Sequence, residues 1–161
     1  MPLMWNNKIV HLLGKNFNLS KQILASNIKK WKKEDGKLSM VNEVFKEQEK
    51  LGIIERIENL VEFMRDHPEC CFLPHMGIFK MDRDTTKCRV VFLSNLCERN
   101  SRTTSVSNNQ AMLSGPCLNH KITTSVTLLR FDSHLLLFDI KKAFLNIELG
   151  DIDKNRLMFL W

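Results

Sequence analysis

The residue pattern is that of an α+β chain. Two stretches with helical spacing open it. A pair of β-favouring runs then flanks a polar turn at 76–93, and a further apolar run, Leu135-Leu136-Leu137-Phe138, leads into Asp139. At 161 residues the chain has room for one domain with a hydrophobic core, or for one domain and part of another. Apolar residues at 43% and charged residues at 26% exclude long disorder and fibrous repeats.

Residues 1–18 carry little signal. Ser20 reads as a helix N-cap, because its hydroxyl can accept from an unpaired amide of the first turn. Ile23, Leu24, Ile28 and Trp31 follow at helical spacing and mark one apolar face. Lys29, Lys30, Lys32 and Lys33 crowd the last turn, where cations meet the negative end of the helix dipole. Asp35-Gly36 is a break. Ser39 reads as the cap of a second helix, with Val41, Val44, Phe45 and Leu51 as its buried stripe and Gly52 as its stop. Asn59 to Asp66 suits a short third helix. His67-Pro68 ends it, since the residue before proline is pushed out of the helical region.

From Cys71 the character changes. Phe72-Leu73-Pro74-His75 and Ile78-Phe79 read as extended chain, residues 82–87 as a polar turn, and Val90-Val91-Phe92 as a β-favouring run. Residues 76–93 are thus expected to form a β-hairpin. Residues 94–110, rich in Ser, Asn and Thr, read as a loop, and Ser114-Gly115-Pro116 as a second break. Ile122 to Arg130 suits a helix started by Thr123 or Thr124. Leu135–Phe138 suits a buried strand, and Ala143 to Ile147 the start of another element. There is no internal repeat.

Lys+Arg number 24 against 18 Asp+Glu, a net charge of +6. Residues 1–50 hold ten Lys and five acidic residues, so most of the excess lies there. A basic arm suits an anionic partner, most often nucleic acid, and makes Lys29, Lys30, Lys32 and Lys33 candidate contacts. A solvated lysine-rich surface is the alternative. No apolar run approaches the roughly 18 residues that span a bilayer, and residues 1–20 lack a secretory leader pattern. The five cysteines include no C-x-x-C pair, so a reducing, cytoplasmic setting is expected rather than a disulfide framework. Cys71-x3-His75 and Cys117-x2-His120 do not match a common zinc finger.

The chemistry concentrates at Asp139. A carboxylate at a strand end is rigid enough to hold Mg²⁺, and Phe144, five residues on, can lie under the sugar of a nucleotide. The alternative is that Asp139 caps a helix beginning at Ile140. The hairpin adds Lys80, Arg83, Lys87 and Arg89, cations suited to gripping a triphosphate. Here the alternative is a solvated hairpin partly neutralised by Asp82 and Asp84.

In order, these segments resemble the reverse transcriptases of BEL/Pao-type LTR retrotransposon Pol polyproteins. Phe72-Leu73-Pro74-His75-Met76-Gly77-Ile78-Phe79-Lys80 and Thr85-Thr86-Lys87-Cys88-Arg89-Val90-Val91-Phe92 are similar to the family's "YLPHH-x-V-x-K … TTK-x-RVVF" hairpin. Ser107-Asn108-Asn109-Gln110-Ala111-Met112-Leu113-Ser114-Gly115-Pro116 resembles "SLND-x-LL-x-GP". Leu128-Leu129-Arg130-Phe131 and Phe138-Asp139-Ile140-Lys141-Lys142-Ala143-Phe144-Leu145 resemble "LLRFR … ADI-x-KAFL". Asp151-Ile152-Asp153 and Met158-Phe159-Leu160-Trp161 resemble "DRD … RFLW". The chain departs from the pattern at Leu93, where the family has Asp, and at Asn108-Asn109-Gln110.

The resemblance implies a basic helical segment over 1–66, a fingers region over 67–130 with the hairpin at 76–93, and the start of a palm over 131–161. It implies RNA-directed DNA synthesis as the parent reaction, with Mg²⁺ or Mn²⁺, a dNTP, an RNA or DNA template-primer and the rest of the polyprotein as partners. The compartment would be the cytoplasm, a virus-like particle or the nucleus. Asp139 matches the first catalytic and metal-binding carboxylate, the carbonyl of Ile140 a neighbouring metal ligand, and Phe144 the steric gate. Arg89 matches the fingers arginine, and Lys80 or Lys87 the triphosphate lysine. No tyrosine and no adjacent aspartate pair occur in these 161 residues, so the second and third carboxylates are missing from them. The chain alone is therefore expected to be inactive, and Leu135–Phe138 to present an unpaired apolar edge. A basic nucleic-acid-binding remnant without catalysis, or a protein-interaction module, are the other readings.

Overall fold

The computed structural model describes residues 2–82, 87–98, 105–119, 121–131, 134, 136 and 138–161. The chain is mixed α and β, as expected, and divides into two compact units. One comprises Met1–Leu113 with Glu148–Trp161, the other Ser114–Ile147. This division cuts across the three sequence segments because 148–161 packs with the N-terminal residues.

In the first unit, a 3₁₀ turn at Val10–Leu12 precedes α1 (Phe17–Trp31), α2 (Lys37–Lys50) and α3 (Leu60–Asp66). The strands β1 (His75–Phe79) and β2 (Cys88–Phe92) form an antiparallel hairpin with His75 opposite Phe92 and Phe79 opposite Cys88. Two short helices follow, α4 (Asn108–Ala111) and, after the second unit, α6 (Asp151–Asn155).

Several local expectations hold. Gly52 follows α2 with φ +67, its N–H bonded to Glu49 O and that of Ile53 to Gln48 O. That pair of bonds closes the helix by a Schellman turn, which needs the left-handed conformation glycine adopts without strain. The short helix expected over 59–66 runs from Leu60 to Asp66, with Asn59 just before it accepting from the Glu62 N–H. His67, before Pro68, ends it.

Others are corrected. Ser20 is not a cap: α1 begins at Phe17, and the buried Ser20 hydroxyl donates instead to Phe72 O at 2.9 Å. The preceding residue, Asn16, is left-handed at φ 55 and completely buried. Its side-chain oxygen accepts from Glu98 N–H at 2.8 Å. Ser39 likewise lies inside the first turn of α2, with its hydroxyl on Glu43. The expected loop over 94–110 contains the start of α4, closed by a capping box between Ser107 and Gln110.

The core is built by Trp31 of α1 and Val41 and Phe45 of α2, covered by Phe79, Cys88 and Val90 of the hairpin and by Phe159. Burying each large side chain stabilises by about 1.5–3 kcal/mol. Gly77 lets β1 approach α2: a Cβ there would lie 2.8 Å from Phe79 Cζ and 3.2 Å from Val41 Cγ2. The C-terminal residues complete this core. Met158 pairs with Phe72 through Leu73 N–H to Met158 O at 2.7 Å and Met158 N–H to Cys71 O at 3.1 Å. Phe159 then stacks on Phe45 and Trp161 packs tilted against it, each with ring centroids 4.9 Å away.

The second unit holds α5 (Ile122–Leu128), which starts after Lys121 without a side-chain cap, and a 3₁₀ turn at Ala143–Asn146. Leu136 and Phe138 lie in irregular chain, 76% and 86% exposed. The strand expected over 135–138 is therefore corrected at those two positions; Leu135 and Leu137 lie outside the described residues. A strand persists only with a ladder partner, and among the described residues the only strand-to-strand ladder is β1–β2.

Candidate functional site

The hairpin puts its two faces to different uses. The inward face carries His75, Gly77 and Phe79 of β1 and Cys88, Val90 and Phe92 of β2. Side chains alternate along a strand, and directly opposed residues share a face. Met76 and Ile78 of β1 therefore lie on the outer face with their partners Val91 and Arg89. The Lys80 N–H bonds to Lys87 O at 2.9 Å, which carries the register one pair further. Lys80, Lys87 and Arg89 thus stand on one exposed face, around the apolar stripe Met76, Ile78 and Val91. Among the described residues no ion pair engages any of the three cations. Arg83 lies outside the described residues. The apolar stripe was not singled out from the sequence, although the period-two alternation on both strands contains it.

This face is held from behind. His75 is 2% exposed and packs against Phe45, Phe92, Phe159 and Trp161 at 5.3–6.0 Å. Its Nε2 has no hydrogen-bond partner, and burial drives the imidazole pKa down to about 4. His75 is therefore neutral at ordinary pH and serves as an aromatic filler. Its carbonyl oxygen accepts from the Asn27 side chain of α1 at 2.8 Å, fastening the start of β1 to that helix.

A polar cluster lies buried deeper in the same unit. Asn16 donates to Cys71 Sγ at 3.7 Å, and the Cys71 thiol donates to Asn108 Oδ1 at 3.2 Å. Asn108 in turn donates to Arg156 O. Burial pushes the Cys71 thiol up to about 12, which makes it a poor nucleophile and metal ligand. Asp153, named within the Asp151-Ile152-Asp153 motif, is also structural. It is 5% exposed and accepts from Leu3 N–H at 2.7 Å and Trp5 Nε1–H at 2.5 Å.

Lys29 and Lys30 at the end of α1, and Lys32 and Lys33 just after it, are all exposed and outside any ion pair among the described residues.

Asp139, Ile140 and Phe144 belong to the second unit. Asp139 is exposed in irregular chain, Ile140 is 70% exposed and Phe144 90%. No helix begins at Ile140, so Asp139 is not a helix cap; the 3₁₀ turn starts after Lys142, itself left-handed at φ 54. Among the described residues no group of three or more His, Cys, Asp or Glu is placed to hold a metal. Asp139 and the Ile140 carbonyl offer two oxygens, and Mg²⁺ would take the rest of its six from waters, further carboxylates or phosphates, so these residues alone do not fix the ion in place. The Cys71/His75 and Cys117/His120 spacing gathers no metal group either, with His120 outside the described residues. No described helix is long and apolar enough to cross a membrane. Comparison with protein-family models, curated proteins and solved structures found no match to the chain.

Proposed function

We propose that the chain is the fingers region and the beginning of the palm of a reverse transcriptase of the BEL/Pao LTR-retrotransposon type. The parent reaction is RNA-directed DNA synthesis, transfer of a nucleotide to a primer 3′-hydroxyl. One observation carries this reading. Lys80, Lys87 and Arg89 share the outer face of a hairpin whose inner face is locked on an aromatic core. Polymerases need cations on a stiff support to orient a triphosphate, because orientation lost to motion is lost from the rate. In the proposed role the Arg89 fork holds phosphate oxygens in two hydrogen bonds, and Lys80 and Lys87 add point charge. Met76, Ile78 and Val91 offer apolar surface to a base or sugar.

Asp139 is the proposed first catalytic carboxylate, with the Ile140 carbonyl beside it and Phe144 as the gate against a 2′-hydroxyl. These 161 residues contain no second or third carboxylate of such a set. The proposed role of this chain is thus substrate holding, and turnover requires residues it does not contain. Equilibrium binding of a fluorescent deoxynucleoside triphosphate tests the reading. Lys80→Ala and Arg89→Ala are expected to weaken binding about tenfold each, a loss of one charge-assisted contact. Unchanged binding in both variants would remove the reading.

A further inference from the structure

We propose that Ser26, Lys29 and Lys30 on the solvent face of α1, with Lys33 in the turn that follows it, form a separate binding surface for the phosphodiester backbone of nucleic acid. This goes beyond the hairpin reading and does not depend on it. Ser26, Lys29 and Lys30 follow the i, i+3, i+4 spacing on one face of α1, Lys33 lies in the turn just beyond it with its N–H bonded to Lys30 O, and the four together line a shallow surface groove. Its helical part, Ser26 to Lys30, spans about 6 Å of helix axis at 1.5 Å per residue. Duplex DNA carries one charge per about 1.7 Å of axis, so several phosphates fall within reach of such a stripe.

Charge balance on the protein leaves this face open. Glu34, an acid close enough to feel Lys30, is already bonded to Lys37. Lys29 and Lys30 stand in the last turn of α1, and Lys32 and Lys33 follow directly after it, so four like charges lie within five residues. Like charges this close repel one another. An anion bridging the lysines removes that repulsion, and a polyanion does so for all of them at once. The helix dipole accounts for cations near the C-terminus of α1, but not for three of them lining one groove with Ser26, whose hydroxyl can donate to a phosphate oxygen.

The remaining face of the helix decides between nucleic acid and an anionic membrane. A membrane-surface helix turns its apolar side to lipid and flanks it with lysines. In α1 that side is occupied: Trp31 is buried in the core and packs edge-on against Phe79 at 6.2 Å. Gln22 and Ala25, exposed beside the lysine stripe, offer no apolar anchor.

The test compares two triple variants of the whole chain with the same loss of charge. Lys29→Gln/Lys30→Gln/Lys33→Gln removes the stripe, while Lys8→Gln/Lys46→Gln/Lys50→Gln removes three exposed lysines elsewhere. Binding of a short fluorescein-labelled oligouridylate is followed by anisotropy between about 50 and about 200 mM salt. The stripe variant is expected to flatten the slope of log K against log salt by about 2, near 0.7 per lost contact, with the control changing it by less than about 1. Equal slopes in the two variants would overturn the proposal, because binding would then follow net charge and not position. So would an unchanged slope in the stripe variant, or tighter binding of the unmodified chain to phosphatidylserine vesicles than to the oligonucleotide. Thermal melts of both variants check that each is folded. Loss of triphosphate binding on the hairpin leaves this result untouched, so the two readings fail independently.

Discussion

The Asp153 carboxylate accepts a hydrogen bond from the indole Nε1–H of Trp5, 148 positions away in the chain. It also takes the Leu3 N–H, so a single side chain ties the two ends of the first unit together. Removing it leaves both donors without a partner in a largely buried setting. Asp153→Ala is expected to lower stability by about 2–3 kcal/mol, as for hydrogen bonds to a charged group. Asp151→Ala, two residues away and fully solvent-facing, should change it by less than about 0.5 kcal/mol. Urea unfolding followed by tryptophan fluorescence measures both.

His75 makes stability depend on pH. Its folded-state pKa of about 4 lies below the usual value of 6.5. The folded protein therefore resists a proton that the unfolded chain accepts. Stability is full above pH 6.5 and falls as pH drops toward 4, by up to about 3 kcal/mol at 1.36 kcal/mol per unit. Below pH 4 this group contributes no further loss. Glu69, whose carboxyl is held below its usual range first by a hydrogen bond from Asn155, adds its own loss under acid. His75→Phe keeps an aromatic ring against Phe45 and Phe159. It should flatten the stability profile between pH 6.5 and 4 while leaving the more acidic limb in place.

The cysteines should label in order of access. Cys117 is exposed and is expected to react first with a thiol reagent in the native state. Cys70 and Cys71 are buried, and burial raises both thiols, Cys71 to about 12. They should react only after denaturant is added. Mass spectrometry of peptides labelled before and after unfolding distinguishes them.

The second unit should be removable. The chain leaves the first unit at Leu113, whose N–H bonds to Met4 O, and the returning segment is fixed by Asp153 to Leu3 and Trp5. Both ends of the excursion are thus anchored on the same few N-terminal residues. Replacing 114–147 by a Gly/Ser linker of about ten residues, with an r.m.s. reach of about 17 Å, is expected to preserve the aromatic core. A cooperative thermal transition with the near-ultraviolet signal of Trp31 and Trp161 retained would bear this out. A non-cooperative melt would contradict it.

What the sequence made legible was local. The hairpin, the Gly52 stop, the short helix near 59–66 and the break at His67-Pro68 depend on residues within a few positions of one another, so their signals sit together. Ser20 misled because the start of α1 is decided by Asn16, whose side chain is held by Glu98, 82 positions on. The pairing of Met158 with Phe72, and the packing of Trp161 against Phe45, had no local signature either. Leu136 and Phe138 misled for a related reason: an apolar run states a preference for burial, but a strand also needs a partner to complete its hydrogen bonds. At the candidate site, the residue types Lys80, Lys87 and Arg89 were legible, and their common face followed only once the register was known.

The most direct measurement of the central claim is residue-resolved NMR of the whole chain titrated with a deoxynucleoside triphosphate. The account predicts amide shifts confined to the outer hairpin face, at Met76, Ile78, Lys80, Lys87, Arg89 and Val91, that vanish in the Arg89→Ala variant. Absence of shifts on that face, or shifts that persist without Arg89, would contradict it.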